Sequence, residues 1–454
     1  MKRMLIMILA LSMVAVLSLP AFAEVQNIKV SGEITIRGFV RDNYATTGSG
    51  GGADLTNGGA LTPFLDTGSR DWYNTIAKLG VDADLTDNVS ATLQMGNERD
   101  WSGNGAAGTN ILMVASYITL KEMLYSPLTV KMGRMPVKVA DGLVIGDGSR
   151  TGEAVLGTDY SMHKEFDGIV GILDYDPLFI GIGTAKALET ASTAFDDVEL
   201  YTIDTIYKLE DDMNTVIDTY LSISHYNSPG AGVGTGPTLT STKALDQYVL
   251  ATCITLQPKE NLNLKVGLAT QFGDYMKTAA ATRDLEAYAY DLALDYAIEN
   301  EYSPKVGVKW VYRSGQDTTK TTGDFEGWQA GFEDQTNGII YDPNTNINAI
   351  ALTGSLVPMD RLTVGAEFWM YKLAEEITAP AVGANTTGLQ KDDDAGEELD
   401  LYAKYAYTED VNLGLSLAWF FPGSYYGTID SGANSGKKVD ETATQIMAEI
   451  GVKF

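Results

Sequence analysis

The 454 residues carry 32 basic and 60 acidic side chains, a net charge of −28, with one cysteine and two histidines. Such an excess of carboxylates argues against a nucleic-acid partner, whose phosphates demand Lys and Arg in excess. The lone Cys253 rules out a disulfide framework, and without a C-x-x-C-H run the chain attaches no haem itself.

Taken in chain order, Lys2 and Arg3 precede an apolar stretch, Met4 to Leu19, and an Ala21-Phe22-Ala23 cleavage site. This is the pattern of a cleaved export signal over residues 1–23. A membrane helix needs about 20 apolar residues, and this stretch ends sooner, at Pro20. Loss of Lys2 and Arg3 leaves 30 basic against 60 acidic residues, a net of −30. Residues 24–454 then form one domain.

No later apolar run is long enough for a membrane helix, and what recurs is period-two alternation in segments of about ten residues, the dyad pattern of membrane barrels. Ile28, Val30, Ile34, Ile36 and Val40 fall opposite Lys29, Ser31, Glu33, Thr35 and Arg37. The same holds for Ala77, Leu79 and Val81 against Lys78 and Asp82, and for Leu262 to Leu268 against Asn263 and Lys265. It continues with Tyr288 to Ile298 against Asp291 and Asp295, Val306 to Tyr312 against Lys305, Lys309 and Arg313, and the Leu413 to Phe421 run. A charged opposite face on most strands suits a wet lumen rather than a packed core.

Short connections near 85–88, 121–127, 174–177, 209–213, 256–260, 299–303, 356–361 and 407–411 alternate with longer ones. The long ones lie near 42–70, 101–109, 136–163, 189–197, 227–243, 276–283, 314–345, 375–397 and 422–440. Eight short and nine long connections predict an all-β chain, a single antiparallel transmembrane barrel of about 18 strands, with 16 as the alternative. The short turns would be periplasmic and the long loops extracellular. The last strand alternates Ile446, Ala448, Ile450 and Val452 up to Phe454. That resembles the signal read by barrel-assembly machinery, which makes the machinery an expected partner. Aromatics at strand ends, Trp72, Tyr73, Trp101, Tyr117, Tyr175, Trp310, Tyr312, Trp369, Tyr405, Tyr407 and Trp419 to Phe421, are read as interfacial girdles, with Tyr402 and Phe420 as candidates to line the lumen.

Residues 129–168 read Thr-Val-Lys-Met-Gly-Arg-Met-Pro, then Asp141-Gly142, Gly146-Asp147 and Phe166-Asp167-Gly168. Together with the Asp-Leu-Thr-Asp turn and Arg99-Asp100-Trp101, this resembles the alginate-export family of outer-membrane barrels. The resemblance runs over 28–185; beyond that only the barrel pattern continues. It implies an 18-stranded barrel, and a basic lumen for an anionic polysaccharide. The lumen read from alternation is mixed instead. Its basic candidates are Lys29, Arg37, Lys78, Lys131, Lys265, Lys305, Lys309, Arg313 and Lys404. Its acidic ones are Glu33, Asp82, Asp84, Glu98, Asp291, Asp295, Glu299, Glu367 and Asp400, with Arg134 and Asp167 also taken as pore-lining. Arg134 has two readings, a constriction cation or a structural ion pair with Asp167, and the structural one is preferred.

Other motifs carry less. The acidic run Asp392-Asp393-Asp394, followed by Glu397 and Glu398, lacks the spacing of a calcium loop and is read as solvated. The Gly-rich stretch 48–52 has no Lys-Ser or Lys-Thr behind it, so it is no phosphate loop. His163 falls in a long loop, and His225 faces away from Ser222 and Ser224 on a strand, so general-base geometry is missing. No cofactor, metal site or enzymatic role is expected. The sequence thus points to a porin in the outer membrane of a Gram-negative bacterium, monomeric or homotrimeric. It would sit among lipid and lipopolysaccharide and pass small polar or charged solutes by diffusion. Two alternatives stay open: a channel for an anionic polysaccharide or its oligomers, and a sheath around a multihaem electron-transfer partner. Loops 136–163 and 314–345 are the candidates to narrow the pore.

Overall fold

The computed structural model describes residues 27–43, 69–101, 111–124, 127–146, 165–188, 198–227, 243–278, 281–317, 320, 322–329, 333, 337–376, 392–426 and 440–454. The proposed signal segment 1–23, His163, Gly146-Asp147 beyond its glycine, and the Gly-rich stretch 48–52 lie outside them.

Eighteen strands form one sheet. They are β1 (Asn27–Asp42), β2 (Ser69–Thr86), β3 (Val89–Asp100), β4 (Leu112–Leu120), β5 (Leu128–Pro136) and β6 (Glu165–Asp174). Then come β7 (Leu178–Leu188), β8 (Val198–Lys208), β9 (Val216–Tyr226), β10 (Leu245–Lys259), β11 (Leu262–Lys277) and β12 (Thr282–Ala297). The last are β13 (Lys305–Arg313), β14 (Ile347–Met359), β15 (Leu362–Lys372), β16 (Asp394–Ala406), β17 (Val411–Pro422) and β18 (Ala443–Lys453). Each pairs antiparallel with the next, and β18 returns to β1 with Glu33 opposite Lys453 and Asp42 opposite Thr444. Closure leaves no edge, so backbone groups can be satisfied in lipid. The eight short turns and nine long connections fall where the alternation places them.

Residues facing outward form an apolar band: Ile28, Val30 and Ile34 on β1, Leu79 on β2, Ile182, Ile203, Leu250, Leu268, Leu352 and Ile450 further round, all exposed. A band this continuous would aggregate in water and marks a lipid-facing surface. Exposed aromatics frame it: Tyr175, Tyr207, Tyr296, Tyr302 and Tyr407 toward the short-turn end, and Tyr73, Trp101, Tyr201, Tyr288, Trp310 and Phe421 toward the other. Three of the expected girdle residues turn inward instead. Trp72 stacks on Phe39 at 4.7 Å inside the barrel, Tyr117 lies under Lys131, and Trp369 is buried in an inner-wall cluster. No helix among the described residues is long and apolar enough to cross a membrane; the strands do the crossing.

Register shifts sit mostly near strand ends, as between Leu256 and Lys259 and between Leu356 and Met359. The period of two therefore survives along the spanning part of most strands; β4 is an exception, where a shift at Gln94/Met95 leaves both Val114 and Ala115 buried. Turn chemistry is local. In the β8–β9 turn Asp211 accepts the Thr215 hydroxyl at 2.6 Å and the Thr215 N–H at 2.9 Å. Those hydrogen bonds hold its carboxyl below the usual carboxylate range.

At the seam, Gly32 and Phe454 exchange both backbone hydrogen bonds, at 2.8 and 3.0 Å. The Phe454 ring covers the face of Gly32, where any Cβ would collide with it. Gly32→Val is expected to displace the exposed Phe454 ring, and Phe454→Ala to remove it; both keep the backbone seam and lose the same ring contact. Heat-modifiable mobility on gels after refolding into lipid reads both, and a folded fraction lost by Gly32→Val alone contradicts this account of the seam.

Candidate functional site

Because directly paired residues share a face, one inward side chain fixes the facing of its whole row. Following the registers from Arg37 round to Glu449 puts Lys29, Glu33, Lys78, Asp82, Asp84, Glu98, Lys131, Lys265, Asp291, Asp295, Lys305, Lys309, Arg313, Glu367, Asp400 and Lys404 on the same, inner face of the sheet. Tyr402 and Phe420 are on the same face.

Arg134 and Asp167 are corrected. They pair with each other and with Ser116 on the face that carries Ile118 and Ile169, exposed by 47% and 51%. Their neighbours Met135 and Phe166 point inward and are buried. The two charges form an outward, bidentate ion pair at 2.6 and 3.1 Å. Lys186 with Glu199 at 3.0 Å and His225 with Asp246 at 2.6 Å continue this row across β7 to β10. The preceding Gly133 has φ +126°, and a side chain there would strike the β4 backbone at Ser116; only glycine fits. An exposed pair contributes roughly 0–1 kcal/mol. Arg134→Ala is therefore expected to leave ion selectivity unchanged in bilayer recordings, whereas a shift in reversal potential would return Arg134 to the lumen.

Around the mouth at the short-turn end, charges of opposite sign face each other across neighbouring strands. Lys29 is directly opposite Asp82, and Glu33 is directly opposite Lys78. Deeper in, Arg37 bonds Glu449, Lys309 bonds both oxygens of Glu367 at 3.1 and 3.2 Å, and Arg313 grips Asp291 at 2.6 and 3.1 Å. Arg41 bonds Gln445 at 2.6 Å and lies 5.0 Å over the Trp72 ring.

The described residues of the two long connections expected to narrow the lumen, 137–146 and those between 314 and 346, pack against the inner wall. After β5, Val139 and Ile145 bridge, and the turn Ala140–Gly142 drops Leu143, Val144 and Ile145 onto Leu200, Tyr220, Ala251, Cys253 and Ala269 of the wall. Small side chains on these strands allow the close approach. Asp218 accepts the Ala140 N–H at 3.0 Å, and Lys265 bonds Asp141.

The segment after β13 extends the same packing, with Phe325 and Trp328 in one buried cluster with Leu143, Val144 and Ile145. Phe325 stacks on Tyr275 at 3.8 Å, and Trp328 is buried with its indole N–H on Glu333 at 2.9 Å. Gln271 and Gln329 exchange hydrogen bonds, each 2.8 Å. Further round, on β16, Glu398, 0% exposed, accepts the backbone N–H groups of Ile339, Ile340 and Tyr341 at 2.7, 2.7 and 2.8 Å. Tyr371 donates its hydroxyl to the Asn337 carbonyl, and Tyr341 stacks on Phe420 at 4.8 Å.

Glu398 is thus no part of a solvated acidic loop: it lies in β16, pointing inward, and anchors the segment between β13 and β14. Glu397, its neighbour, does face out and is exposed. Asp393 pairs with Lys372 at 3.0 Å. His225 faces outward and Ser222 and Ser224 inward, as read.

The alginate export family model matches residues 232–437, the half of the chain opposite to the motifs that first suggested it. No curated protein matches the sequence. Among solved structures, the outer membrane protein OprD from Pseudomonas aeruginosa is similar at a TM-score of 0.57 and 13% identity, over 95% of this chain and 96% of that one. The outer membrane protein opdK from the same organism gives 0.54 and 12%, over 95% and 100%. A BenF-like porin from Pseudomonas fluorescens gives 0.54 and 11%, again over 95% and 100%. The chain is similar to the alginate-export family and has the closed 18-stranded fold of the outer-membrane porins.

Proposed function

We propose that this barrel is a passive pore for small polar or charged solutes. The observation that carries the reading is the pairing of opposite charges along an inner wall narrowed by two seated loops. About 18 strands enclose an aqueous channel rather than a packed core. Paired charges present water-ordering groups of both signs and so select weakly by ion sign.

The family match favours a second reading, a channel for an anionic polysaccharide. A polyanion needs an uninterrupted run of unneutralised cations, and here Lys78, Lys265, Lys309 and Arg313 each stand beside a carboxylate. That supports small solutes first. A partner-filled sheath is disfavoured because the loops themselves take up lumen space. No catalytic role is inferred, since His225 and the nearby serines lie on opposite faces.

Residues 1–23 fit an export signal, and the Phe454 strand fits recognition by assembly machinery. Monomer and homotrimer both accommodate this barrel. Swelling of proteoliposomes in iso-osmotic solutes tests the reading: entry rates should fall with solute size and differ little between small cations and anions. Entry of an oligomeric uronate faster than neutral sugars of its size would transfer the assignment to the polysaccharide.

A further inference from the structure

Between the inward loop and the wall of β4 to β9 lies a cavity of about 260 Å³. Its floor is opened by Gly168, Gly181 and Gly183, which leave room where other residues would project. Its sides are apolar, with Val170, Ile172, Phe179 and Leu200 from the wall and Val139 and Ile145 from the loop. Several of these are only partly covered, so the recess is reachable from the lumen. Three charged side chains line it, Lys131, Lys138 and Asp204, and Lys138 lies 3.8 Å from the Asp141 carboxylate.

The charges around the Asp204 end do not balance. Asp204 and Asp218 are diagonal neighbours on the inner face of β8 and β9. Asp141 takes the two nearby lysines, Lys265 and, at 3.8 Å, Lys138. Neither Asp204 nor Asp218 has an ion pair among the described residues. Asp204 Oδ1 and Asp218 Oδ1 are buried without a hydrogen-bond partner there, and so is the hydroxyl of Tyr220, a residue 1% exposed that also lines the cavity. Buried polar groups are nearly always satisfied. Two neighbouring carboxylates and a phenol oxygen together call for a cation that donates several hydrogen bonds. An ammonium group does this, and the apolar recess beside it fits a hydrocarbon body. Lys131, which lies 5.7 Å over the Tyr117 ring toward β4, repels a cation from the other end and fixes its orientation.

We propose that this recess binds a small organic monoammonium ion, its nitrogen between Asp204 and Asp218 and its apolar or aromatic body against Ile172, Phe179 and Leu200. The site is thus a cation-selective station on the wall of a weakly selective pore, and it rests on the pore reading for the route by which solutes reach it.

Calorimetric titration of the refolded barrel in detergent with phenethylammonium, and with phenylacetate as the matched anion, tests the site without needing conductance. Binding of phenethylammonium alone is expected. Asp204→Asn is expected to weaken it at least about tenfold, as loss of a charge-assisted hydrogen bond would. Asp218→Asn keeps an acceptor for the Ala140 N–H and should weaken binding while retaining the heat-modifiable mobility of a folded barrel. Absence of binding to folded wild type, equal binding of phenylacetate, or unchanged binding by Asp204→Asn each overturns the proposal. The first of these would mean that the two carboxylates satisfy each other by sharing a proton. Binding without bilayer conductance leaves the site standing and removes the pore; conductance without binding does the reverse.

Discussion

Replacing Glu398 by Ala is expected to unseat the segment between β13 and β14 and to enlarge the single-channel conductance. Three consecutive N–H groups converge on this one carboxylate, all within 2.8 Å. A buried donor left without its acceptor costs roughly 1–3 kcal/mol. Leaving three donors unpaired together removes several kcal/mol from the seated state by that estimate. The contacts on this wall that remain include the Tyr371 hydroxyl on Asn337, Tyr341 against Phe420 and Tyr371, and the burial of Ile340, and these are expected not to hold the segment alone. Glu398→Gln keeps one oxygen and is expected to fall between wild type and Ala, with openings that flicker between two levels. A conductance unchanged by Glu398→Ala, in a variant that still folds, would show that the segment does not limit the pore.

The second large effect is on stability. Arg313 and Asp291 have side chains only 2% and 8% exposed and make two parallel hydrogen bonds, at 2.6 and 3.1 Å. Arg313 also donates to the Tyr312 and Tyr290 carbonyls, at 2.9 and 3.3 Å. Asp291→Ala strands a guanidinium inside the wall and is expected to cost about 3–5 kcal/mol. Removing both charges with Asp291→Leu and Arg313→Leu is expected to restore most of that loss, because a well-packed apolar pair replaces a buried ion pair nearly neutrally. Urea unfolding of the barrel in lipid vesicles reads both. A double variant as unstable as Asp291→Ala would show that the pair contributes net stability of its own.

Local features of the sequence were enough for most of this architecture. Period-two alternation and turn residues act between neighbours, so the strands, the short turns and the inner row from Lys29 to Lys404 are visible without tertiary knowledge. The errors have two physical sources. The charge of Arg134 and Asp167 suggests the lumen while their parity does not, because at the long-loop end the outward face passes beyond the apolar band and charges are admitted there. Parity from Lys131 already puts Arg134 outside. The same rule, carried back from Lys404 and Asp400, would have put Glu398 inside, and from Lys78 it would have put Trp72 there. How Glu398 and Asp218 hold loop backbone was not legible, because those contacts join residues 57–59 and 78 positions apart and depend on how deep each loop descends.

The measurement that bears most directly on the central claim is single-channel recording of the refolded residues 24–454 in a planar bilayer, with reversal potentials under a salt gradient. Stable open steps with mild preference for one ion sign are predicted from the paired charges of the inner wall. Closed traces from a barrel that is demonstrably folded, or marked anion selectivity, would contradict it.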